Sequence, residues 1–424
     1  MNQSHALKIL QSGDNVFLTG SAGSGKTFLL NQFIDYLRSK KIKVGITAST
    51  GIAATHLNGR TIHSWCGMGI AKKLNKKQIR KILGREELLE RIKNAQVLII
   101  DEISMLDADC LDLVDKICKA VKNPFSPFGG IQIILCGDFF QLPPVSKDSL
   151  FAFHAFAWEN SGFKVCYLDE QFRQDDAGFL NILNKIRANE AGEEEINLLK
   201  TRLYEPVAHA PLLTKLYTHN VNVDALNDFE LSKIIGEEKV YKVIEHGPKQ
   251  LVDFLRKSYP AVGELKLKVG AAVMFIKNNF DAGYVNGTLG EVVGFDEDGY
   301  PIIQTRDSGF RRNDNKKRND SKIVATPVSW NIEEDEIVVA SIRQVPLRLA
   351  WAMTVHKSQG MSLDAAEIDL SKSFERGMGY VALSRVRTLN SIRLMGINAL
   401  ALKVDEMVVK KDKEFKKLSK KNKI

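Results

Sequence analysis

Residues 16–38 read VFLTGSAGSGKTFLLNQFIDYLR, and this stretch decides the fold. A short apolar run predicts a strand, GSAGSGKT matches the phosphate-loop pattern, and the amphipathic run after it predicts a helix. Glycines let backbone N–H groups close around phosphates at a helix N-terminus, where negative charge is favoured. We expect Lys26 to meet the β- and γ-phosphates of ATP and the Thr27 hydroxyl to ligate Mg²⁺. The predicted nucleotide-binding residues here are Gly20, Ser21, Ala22, Gly23, Ser24, Gly25, Lys26, Thr27 and Phe28.

A second nucleotide motif, VLIIDEISML, spans residues 97–106. Four apolar residues predict a buried strand, and Asp101 at its end can hold the Mg²⁺ water shell. Glu102 is placed to orient or deprotonate the attacking water. The two motifs together predict ATP hydrolysis, although kinases, transporters and clamp loaders share them.

Strand-like runs recur through the first part of the chain, at residues 16–18, 44–47, 97–100, 131–135 and 165–168. Amphipathic stretches separate most of them, which indicates an α/β lobe with a parallel sheet covered on both faces. Ligands bind beyond the carboxyl ends of the strands in such lobes. Because 424 residues exceed one ordinary domain, we expect two major lobes.

Two segments interrupt this rhythm. Residues 66–92 are charged and helical in pattern, and residues 265–345 show alternating runs cut by turn residues, which is typical of a small β-barrel. The predicted organisation is a first lobe at 1–165 with the helical insertion, a second lobe at 166–264 and 346–409 with the inserted barrel at 265–345, and a basic, solvated, partly disordered tail at 410–424.

Composition narrows the class of protein. A net charge of +9 and a pI near 9.1 favour polyanionic partners. The five cysteines lack metal-ligand or paired spacing, so they are typical of reduced thiols in an intracellular protein, with Cys136 a buried small hydrophobe. No signal-peptide pattern occurs and the apolar runs are too short for a bilayer. We expect a soluble, cytoplasmic protein of bacterial or phage origin acting at the nucleoid, with no membrane partner.

Longer motifs carry a family resemblance. They are ASTGIAATHLNGRTIHSW at 48–65, GDFFQLPPV at 137–145, LDEQFRQ at 168–174, WAMTVHKSQGMSLD at 351–364 and GYVALSRVRTL at 379–389. This set resembles the Pif family of 5′-to-3′ DNA helicases, in the RecD-like class of superfamily one, over nearly the whole chain. The resemblance implies two RecA-like P-loop NTPase lobes. LDLVDKICKAVK at 111–122 resembles the family's signature stretch, except that Lys119 and Lys122 stand where arginines are usual.

The resemblance also implies roles around the nucleotide. Gln141 would stand near the γ-phosphate and report its presence. Arg173 and Arg385 would reach it from the second lobe, across the cleft, as planar cations suited to transition-state charge. Gln3 would read the adenine edge, with an ordinary glutamine of a frayed terminus as the alternative. The predicted catalytic residues are Lys26, Asp101, Glu102, Gln141, Arg173 and Arg385, with Thr27 and Asp101 at the metal.

Contacts to DNA are implied by other motifs. Hydroxyls, amides and a few cations suit phosphate contacts without sequence preference. The implied DNA-contacting residues are Thr50, Thr61, His63, Thr354, His356, Lys357 and Ser358. Gln359 and Gly360 would couple the nucleotide to this loop, Gly360 counting among the cofactor-binding residues. Trp65 stacks on a base or is a buried hinge residue.

The insertions would serve the same DNA path. The helical insertion resembles the family's strand-separating wedge, and the barrel would line the single-strand channel. The polar loop DSGFRRNDNKKRND at 307–320 either grips DNA or forms a floppy hairpin.

The resulting hypothesis is an ATP- and Mg²⁺-dependent helicase on single-stranded DNA and single-strand/duplex junctions. We expect it to act as a monomer in genome maintenance, in DNA repair and recombination. A DNA-binding protein gated by ATP without turnover is the second hypothesis, which Glu102 and the two arginines disfavour. A small-molecule P-loop kinase is the third, which the basic charge and second lobe disfavour. Polarity rests on the resemblance alone, and the preferred DNA structure stays open.

Overall fold

The computed structural model describes residues 1–57, 59–69, 74–144, 149–174, 176–208, 213–219, 223–258, 263–277, 279, 282–284, 286–305, 322–334 and 337–422. The chain forms two compact units. The first comprises Met1–Leu199, Ser373–Thr388 and Asn398–Ile424, and the second comprises Lys200–Lys372 and Leu389–Ile397.

Helices occur along the whole described chain. They are α1 (Gln3–Gln11), α2 (Lys26–Ser39), α3 (Gly51–His56), α4 (Ile62–Trp65), α5 (Lys76–Leu83), α6 (Glu86–Asn94), α7 (Ala108–Val121), α8 (Phe156–Glu159), α9 (Ala177–Ala188), α10 (Glu193–Lys200), α11 (Val223–Lys233), α12 (Lys249–Ser258), α13 (Met378–Leu383) and α14 (Glu406–Lys421). The segment at 66–92, predicted to be a helical insertion, contains α5 and most of α6, which continues to Asn94.

A six-stranded parallel sheet forms the centre of the first unit. Its strands are β1 (Val16–Gly20), β2 (Val44–Ala48), β3 (Arg60–Thr61), β4 (Val97–Asp101), β5 (Gln132–Cys136) and β6 (Lys164–Leu168). Their order is β3-β2-β4-β5-β1-β6, and every pair is parallel. Strands β1 and β4 are buried throughout, as their unbroken apolar runs predict for strands covered on both faces.

The strand order brings the two nucleotide motifs together. Strand β5 lies between β4 and β1, so the ends of these three neighbouring strands share one edge of the sheet. The phosphate loop follows β1, Asp101 closes β4, and residues 137–141 follow β5. This edge is where an open α/β sheet binds its ligands.

Smaller sheets build the second unit. Its strands are β7 (Thr214–Tyr217), β8 (Lys239–Lys242), β9 (Ile244–His246), β10 (Glu264–Leu267), β11 (Ala272–Phe275), β12 (Leu289–Phe295), β13 (Pro301–Thr305), β14 (Lys322–Val324), β15 (Val328–Glu334), β16 (Ile337–Gln344), β17 (Leu347–Leu349), β18 (Ala352–Thr354), β19 (Ala366–Leu370) and β20 (Ile392–Ile397). A parallel sheet runs β18-β7-β19-β20, while β8 pairs with β10 and β15-β16-β9 form a third sheet.

The described strands of the segment predicted as a barrel pair in antiparallel fashion. The largest sheet runs β14-β13-β12-β11-β17 around a core that includes Val273, Phe275 and Leu347, and its strand β17 lies just past the predicted end at residue 345. Among the described residues this sheet ends at β14 and β17, so closure into a barrel stays a prediction. The polar loop at 307–320 lies outside the described residues.

Two predicted boundaries need correction. The boundary at residue 165 falls inside β6, which pairs with β1 along five residues, and the first unit continues to Leu199. The tail at 410–424 was expected to be partly disordered, but its residues up to Lys421 belong to helix α14, which packs against β6. Its buried residues, Val408, Asp412, Phe415 and Ser419, recur at helical spacing. The many lysines of this segment favoured a solvated tail in the sequence interpretation, although the apolar spacing is helical.

Phe415 explains why α14 folds onto the first unit. Its ring centroid lies 4.9 Å from that of Phe17 on β1 and 6.1 Å from that of Trp158. Ser419 adds a polar contact, because its Oγ accepts a 3.0 Å hydrogen bond from the backbone amide of Tyr167. The C-terminal helix is therefore part of the core that supports the nucleotide-binding edge.

In the described part of the chain, no helix combines the length and apolar character that a membrane crossing requires. All five cysteines are buried and unbridged, as expected for Cys136 from its apolar run.

Candidate functional site

The phosphate loop has a backbone that only its glycines allow. Gly23 and Gly25 have φ values of 87° and 82°, in the left-handed region that other residues adopt at a cost. A Cβ on Gly23 would also lie 2.5 Å from Cβ of Arg173. The loop therefore packs tightly against the LDEQFRQ segment, and Gly25 leads directly into α2.

Lys26 and Thr27 open helix α2, where backbone N–H groups and the helix dipole favour an anion. The Lys26 ammonium donates to the carbonyl oxygens of Gly20 and Ser21, at 2.9 and 3.0 Å. The lysine is thus folded into the loop and lies beside the position where phosphate oxygens bind in this motif. Phe28, the next residue, is about half exposed.

Asp101 and Glu102 occupy a strained turn at the end of β4. Burial raises the pKa of the Asp101 carboxyl, while the Glu102 amide, which donates to Asp101 Oδ1 at 2.9 Å, and the nearby Lys26 charge act in the opposite direction. Glu102 has φ 51° and ψ 48°, a left-handed conformation that costs a non-glycine residue about 1–3 kcal/mol. Such strain persists where the surroundings impose it, and here it orients the Glu102 side chain differently from an ordinary strand residue.

Buried polar atoms without partners border this edge. Within the described residues, Gln141 Oε1 and Ser24 Oγ are buried and make no hydrogen bond. Gln171 and Gln174, which lie against Gly23, each carry another such oxygen. Buried polar groups are nearly always paired. The residues therefore fit a polar ligand with its water shell, as a Mg²⁺-nucleotide would be.

Arg173 and Arg385 converge on Ser384. Arg173 Nη1 donates to the Ser384 carbonyl oxygen at 3.1 Å, and Arg385 Nη2 donates to the Ser384 hydroxyl at 2.8 Å. Burial, followed by the like charge of Arg173, lowers the pKa of Arg385 to about 9. Burial also lowers the pKa of Arg173, which the charge of Glu102 partly offsets. Two buried like charges are costly together, so the pair favours an anion between or beside them.

The position of these arginines differs from the prediction. The sequence assigned both to the second lobe, but both lie in the compact unit that carries the phosphate loop. Residues 373–388 fall between two strands of the second unit, β19 and β20, which is why sequence order misplaced them. Helix α13 is buried in full and packs against α9 of the first unit.

A buried polar network was missed by the sequence reasoning. Arg187 on α9 contacts Asp138 Oδ2 at 2.5 Å and donates to the hydroxyls of Tyr380 and Tyr167 at 3.0 Å each. Burial alone would lower the pKa of Arg187, but Asp138 and the other acidic partners raise it well above its usual range. Asp138 and Tyr380 lie inside quoted motifs, whereas Arg187 carries no signal in the sequence.

Gln3 lies next to the phosphate loop. It is the first residue of α1, and its Nε2 is 3.5 Å from the Gly25 carbonyl oxygen. This position rules out the frayed-terminus alternative for Gln3. Its role toward adenine stays a prediction.

The DNA-contact residues predicted in the first unit also have structural roles. The hydroxyls of Thr50 and Thr61 accept from the backbone amides of Ala53 and Ser64, each at 3.2 Å. Because the oxygen accepts in both cases, each hydroxyl proton can still be donated to a phosphate.

His63 and Trp65 are more enclosed. Burial lowers the pKa of His63, which favours its neutral form, and its Nε2 lies 3.6 Å from Cys110 Sγ. Trp65 is 2% exposed and packs against Gly45, which favours the buried alternative over base stacking. Within the signature stretch, Lys119 bonds Asp115 at 2.7 Å and Lys122 bonds the Ala95 carbonyl oxygen at 2.6 Å.

In the second unit, the four residues predicted to contact DNA follow one another around the end of β18. His356 and Lys357 are partly exposed, whereas Thr354 and Ser358 are buried. Ser358 Oγ donates to the Val355 carbonyl oxygen at 2.8 Å, so this hydroxyl holds the turn together. Burial, then the charge of Arg348, lowers the pKa of Lys357. The exposed Gly360 has φ 80°, and its predicted nucleotide contact stays untested.

Comparison with known proteins agrees with this site. A family model described as PIF1-like helicase matches residues 2–193, and a model of the Pif1 helicase 2B domain matches residues 251–295. The chain is 45% identical to the ATP-dependent DNA helicase Pif1 of Psychrobacter sp., over 99% of this chain and 71% of that protein. The chain belongs to the PIF1-like helicase family.

Solved structures of Pif1 helicases resemble this chain over nearly its full length. The crystal structure of the Candida albicans Pif1 helicase superposes with a TM-score of 0.84 at 35% identity, covering 97% of this chain and 98% of the other. The Bacteroides Pif1 in complex with ADP-AlF3 and ssDNA gives a TM-score of 0.71 at 31% identity, covering 98% and 96%. The chain spans less than two thirds of the length of the vertebrate Pif1 relatives that it matches.

Proposed function

We propose that this PIF1-like helicase is an ATP-dependent DNA helicase that moves 5′-to-3′ along single-stranded DNA and unwinds duplex or structured DNA. One observation supports it most strongly. The phosphate loop, Asp101 with Glu102, and the paired Arg173 and Arg385 occupy one compact unit of a chain from this family. This is the equipment for turnover of a nucleotide, which a simple binding switch would not need.

The nucleotide in this proposal is ATP with Mg²⁺. The backbone of residues 20–27 and the Lys26 ammonium hold the phosphates, and Thr27 and Asp101 hold the metal. When bound, the ion neutralises the charge that develops on the phosphates. The Bacteroides relative was solved with ADP-AlF3, which supports a nucleotide of this class.

Glu102 and the arginines have separate roles in hydrolysis. Glu102 orients the attacking water and accepts its proton, for which its turn at the sheet edge is suited. Arg173 and Arg385 stabilise the negative charge of the transferring phosphoryl group. Gln141, buried with an unpartnered oxygen among the described residues, senses that group. Gln3 meets the adenine.

The proposed DNA contacts come from both units. Thr50 and Thr61 donate their hydroxyl protons to phosphates, and His356 and Lys357 add polar and charged groups from the second unit. Residues 66–92 would act as the strand-separating element, and the antiparallel segment at 265–345 would complete a small barrel that lines the DNA path. The Bacteroides relative was solved in complex with ssDNA, which supports this class of partner. We propose that the monomer suffices for movement.

DNA-stimulated hydrolysis tests the proposal. ATP turnover is measured with and without single-stranded DNA, and unwinding is measured on partial duplexes with 5′ or 3′ single-stranded extensions. We expect strong stimulation, together with unwinding from the 5′ extension only. Turnover indifferent to DNA would contradict the helicase, DNA binding without turnover would favour the ATP-gated binder, and unwinding from the 3′ extension would contradict the polarity.

A further inference from the structure

The hydroxyl of Tyr380 has every hydrogen-bonding position filled. It accepts from the Ala22 backbone amide at 2.9 Å and from Arg187 Nη1 at 3.0 Å, and it donates to Asp138 Oδ2 at 3.2 Å. A phenol offers one donor and two acceptor lone pairs, so the set is complete. Tyr380 is 1% exposed, which means that no water can replace a lost partner.

Two of the three partners lie in the nucleotide site, and the third, Arg187, holds one of them. Ala22 lies in the middle of the phosphate loop, and Asp138 lies three residues before Gln141. Arg187 holds Asp138 and also packs its guanidinium 4.2 Å from the Phe140 ring centroid. The tyrosine itself stands on α13, whose Val381 carbonyl oxygen accepts from Arg385 Nε at 2.7 Å.

We propose that Tyr380 is a positioning residue for ATP hydrolysis. Its hydroxyl holds the phosphate loop in a fixed position relative to α13, to which Arg385 is bonded two residues past the end of the helix, and the Arg187–Asp138 pair fixes that hydroxyl. This inference rests on the proposed function and assigns Tyr380 no contact with the nucleotide.

The chemistry of the network supports a fixed register. Burial raises the pKa of Tyr380 to about 12, so the hydroxyl keeps its proton for Asp138 at any physiological pH. Arg187 stays charged beside Asp138, and a charged, buried pair of this kind tolerates little displacement. Two further hydrogen bonds hold the phosphate loop. Gln171 Nε2 donates to the Ala22 carbonyl oxygen at 2.9 Å, and the Phe172 backbone amide donates to the Gly23 carbonyl oxygen at 3.0 Å. Loss of the tyrosine hydroxyl should therefore shift α13 relative to the loop without dismantling the loop.

The test separates kcat from KM in the Tyr380→Phe variant, with Tyr167→Phe as the matched control. Tyr167 is also buried and its hydroxyl accepts from the same guanidinium at 3.0 Å, whereas the Tyr380 hydroxyl also accepts from the phosphate loop at Ala22. We expect Tyr380→Phe to lower the DNA-stimulated kcat about 10-fold, the equivalent of one hydrogen bond, with KM for ATP changed less than about threefold. Tyr167→Phe should keep the wild-type kcat, although its melting temperature should fall by about as much as that of Tyr380→Phe.

Three results would overturn the inference. They are an unchanged kcat for Tyr380→Phe, an equal loss of kcat in both variants, or a change confined to KM. If Tyr380→Phe does not fold, Arg187→Lys replaces it, since an ammonium keeps the charge but cannot hold Asp138 and both hydroxyls in one plane. The inference then requires that Arg187→Lys lower the DNA-stimulated kcat by a similar factor. Wild-type protein without DNA-stimulated turnover would instead overturn the proposed function itself.

Discussion

Replacing Arg385 with Ala should abolish most of the catalysis while leaving the fold intact. Burial, and then the charge of Arg173, lower the pKa of Arg385 to about 9. These surroundings favour an anion beside the guanidinium. Arginines that stabilise a transferring phosphoryl group contribute roughly 10³–10⁵ in rate, the equivalent of about 4–7 kcal/mol.

We therefore expect the Arg385→Ala variant to lose about 10³-fold in DNA-stimulated kcat, within the range found for arginine fingers. Nucleotide affinity should fall much less, because Lys26 and the loop backbone still hold the phosphates. Arg173→Ala should behave alike, and Arg385→Lys should rescue poorly because a point charge lacks the planar fork. Folding stability should fall to some extent, because Arg385 is fully buried and donates to the Val381 carbonyl oxygen.

The assay compares steady-state kcat with nucleotide affinity from fluorescence titration. Arg38→Ala is the control, because this arginine lies on the same unit with a side chain 59% exposed. A kcat within about tenfold of wild type for Arg385→Ala would refute the argument. An equal loss in Arg38→Ala would show that the effect is not local.

Three further predictions concern water activation, DNA and the C-terminal helix. Glu102→Gln should bind ATP normally but lose at least about 10²-fold in turnover, and substantial unwinding by this variant would exclude Glu102 as the proton acceptor. Single-strand binding should weaken with salt at a logarithmic slope of about −0.7 per neutralised phosphate and show little base preference, whereas a marked preference at fixed length and salt would indicate base readout. Phe415→Ala should cost about 3–5 kcal/mol in urea unfolding, against little for the exposed Leu418→Ala, and equal midpoints would mean that α14 contributes no core packing.

The nucleotide edge was predictable because its signals are local. VFLTGSAGSGKT and VLIIDEISML each predict a buried strand followed by a turn that carries functional residues. Such a turn lies at the carboxyl end of its parallel strand, which is the edge of the sheet where ligands bind. The strand alternation of the first unit and the β-strands described between residues 265 and 345 were likewise visible in the periodicity. The family relation confirms the resemblance drawn from the longer motifs.

What escaped prediction depends on contacts between distant residues. Tyr380 meets Ala22 across 358 positions and Arg187 meets Asp138 across 49, and no local pattern records either pairing. The same reason applies to Arg385, whose place in the first unit follows from the packing of α13 against α9. Helix α14 was misjudged because its lysines outnumber its four buried residues, although those residues recur at helical spacing.

Hydroxyl groups near the proposed DNA path show another limit. Thr50, Thr61 and Ser358 were assigned by resemblance, and each also bonds the backbone around it. Sequence alone cannot separate a threonine that caps a helix from one that contacts a phosphate, since one hydroxyl can do both.

Directional movement on single-stranded DNA is the central claim, and displacement of streptavidin from a biotinylated oligonucleotide measures it without any duplex. Biotin is placed at either the 3′ or the 5′ end, ATP is added, and free streptavidin is quantified with Lys26→Ala as the control. We predict ATP-dependent displacement from the 3′ end, none above background from the 5′ end, and none with the variant. Displacement from the 5′ end, or DNA-stimulated hydrolysis without displacement from either end, would contradict the account.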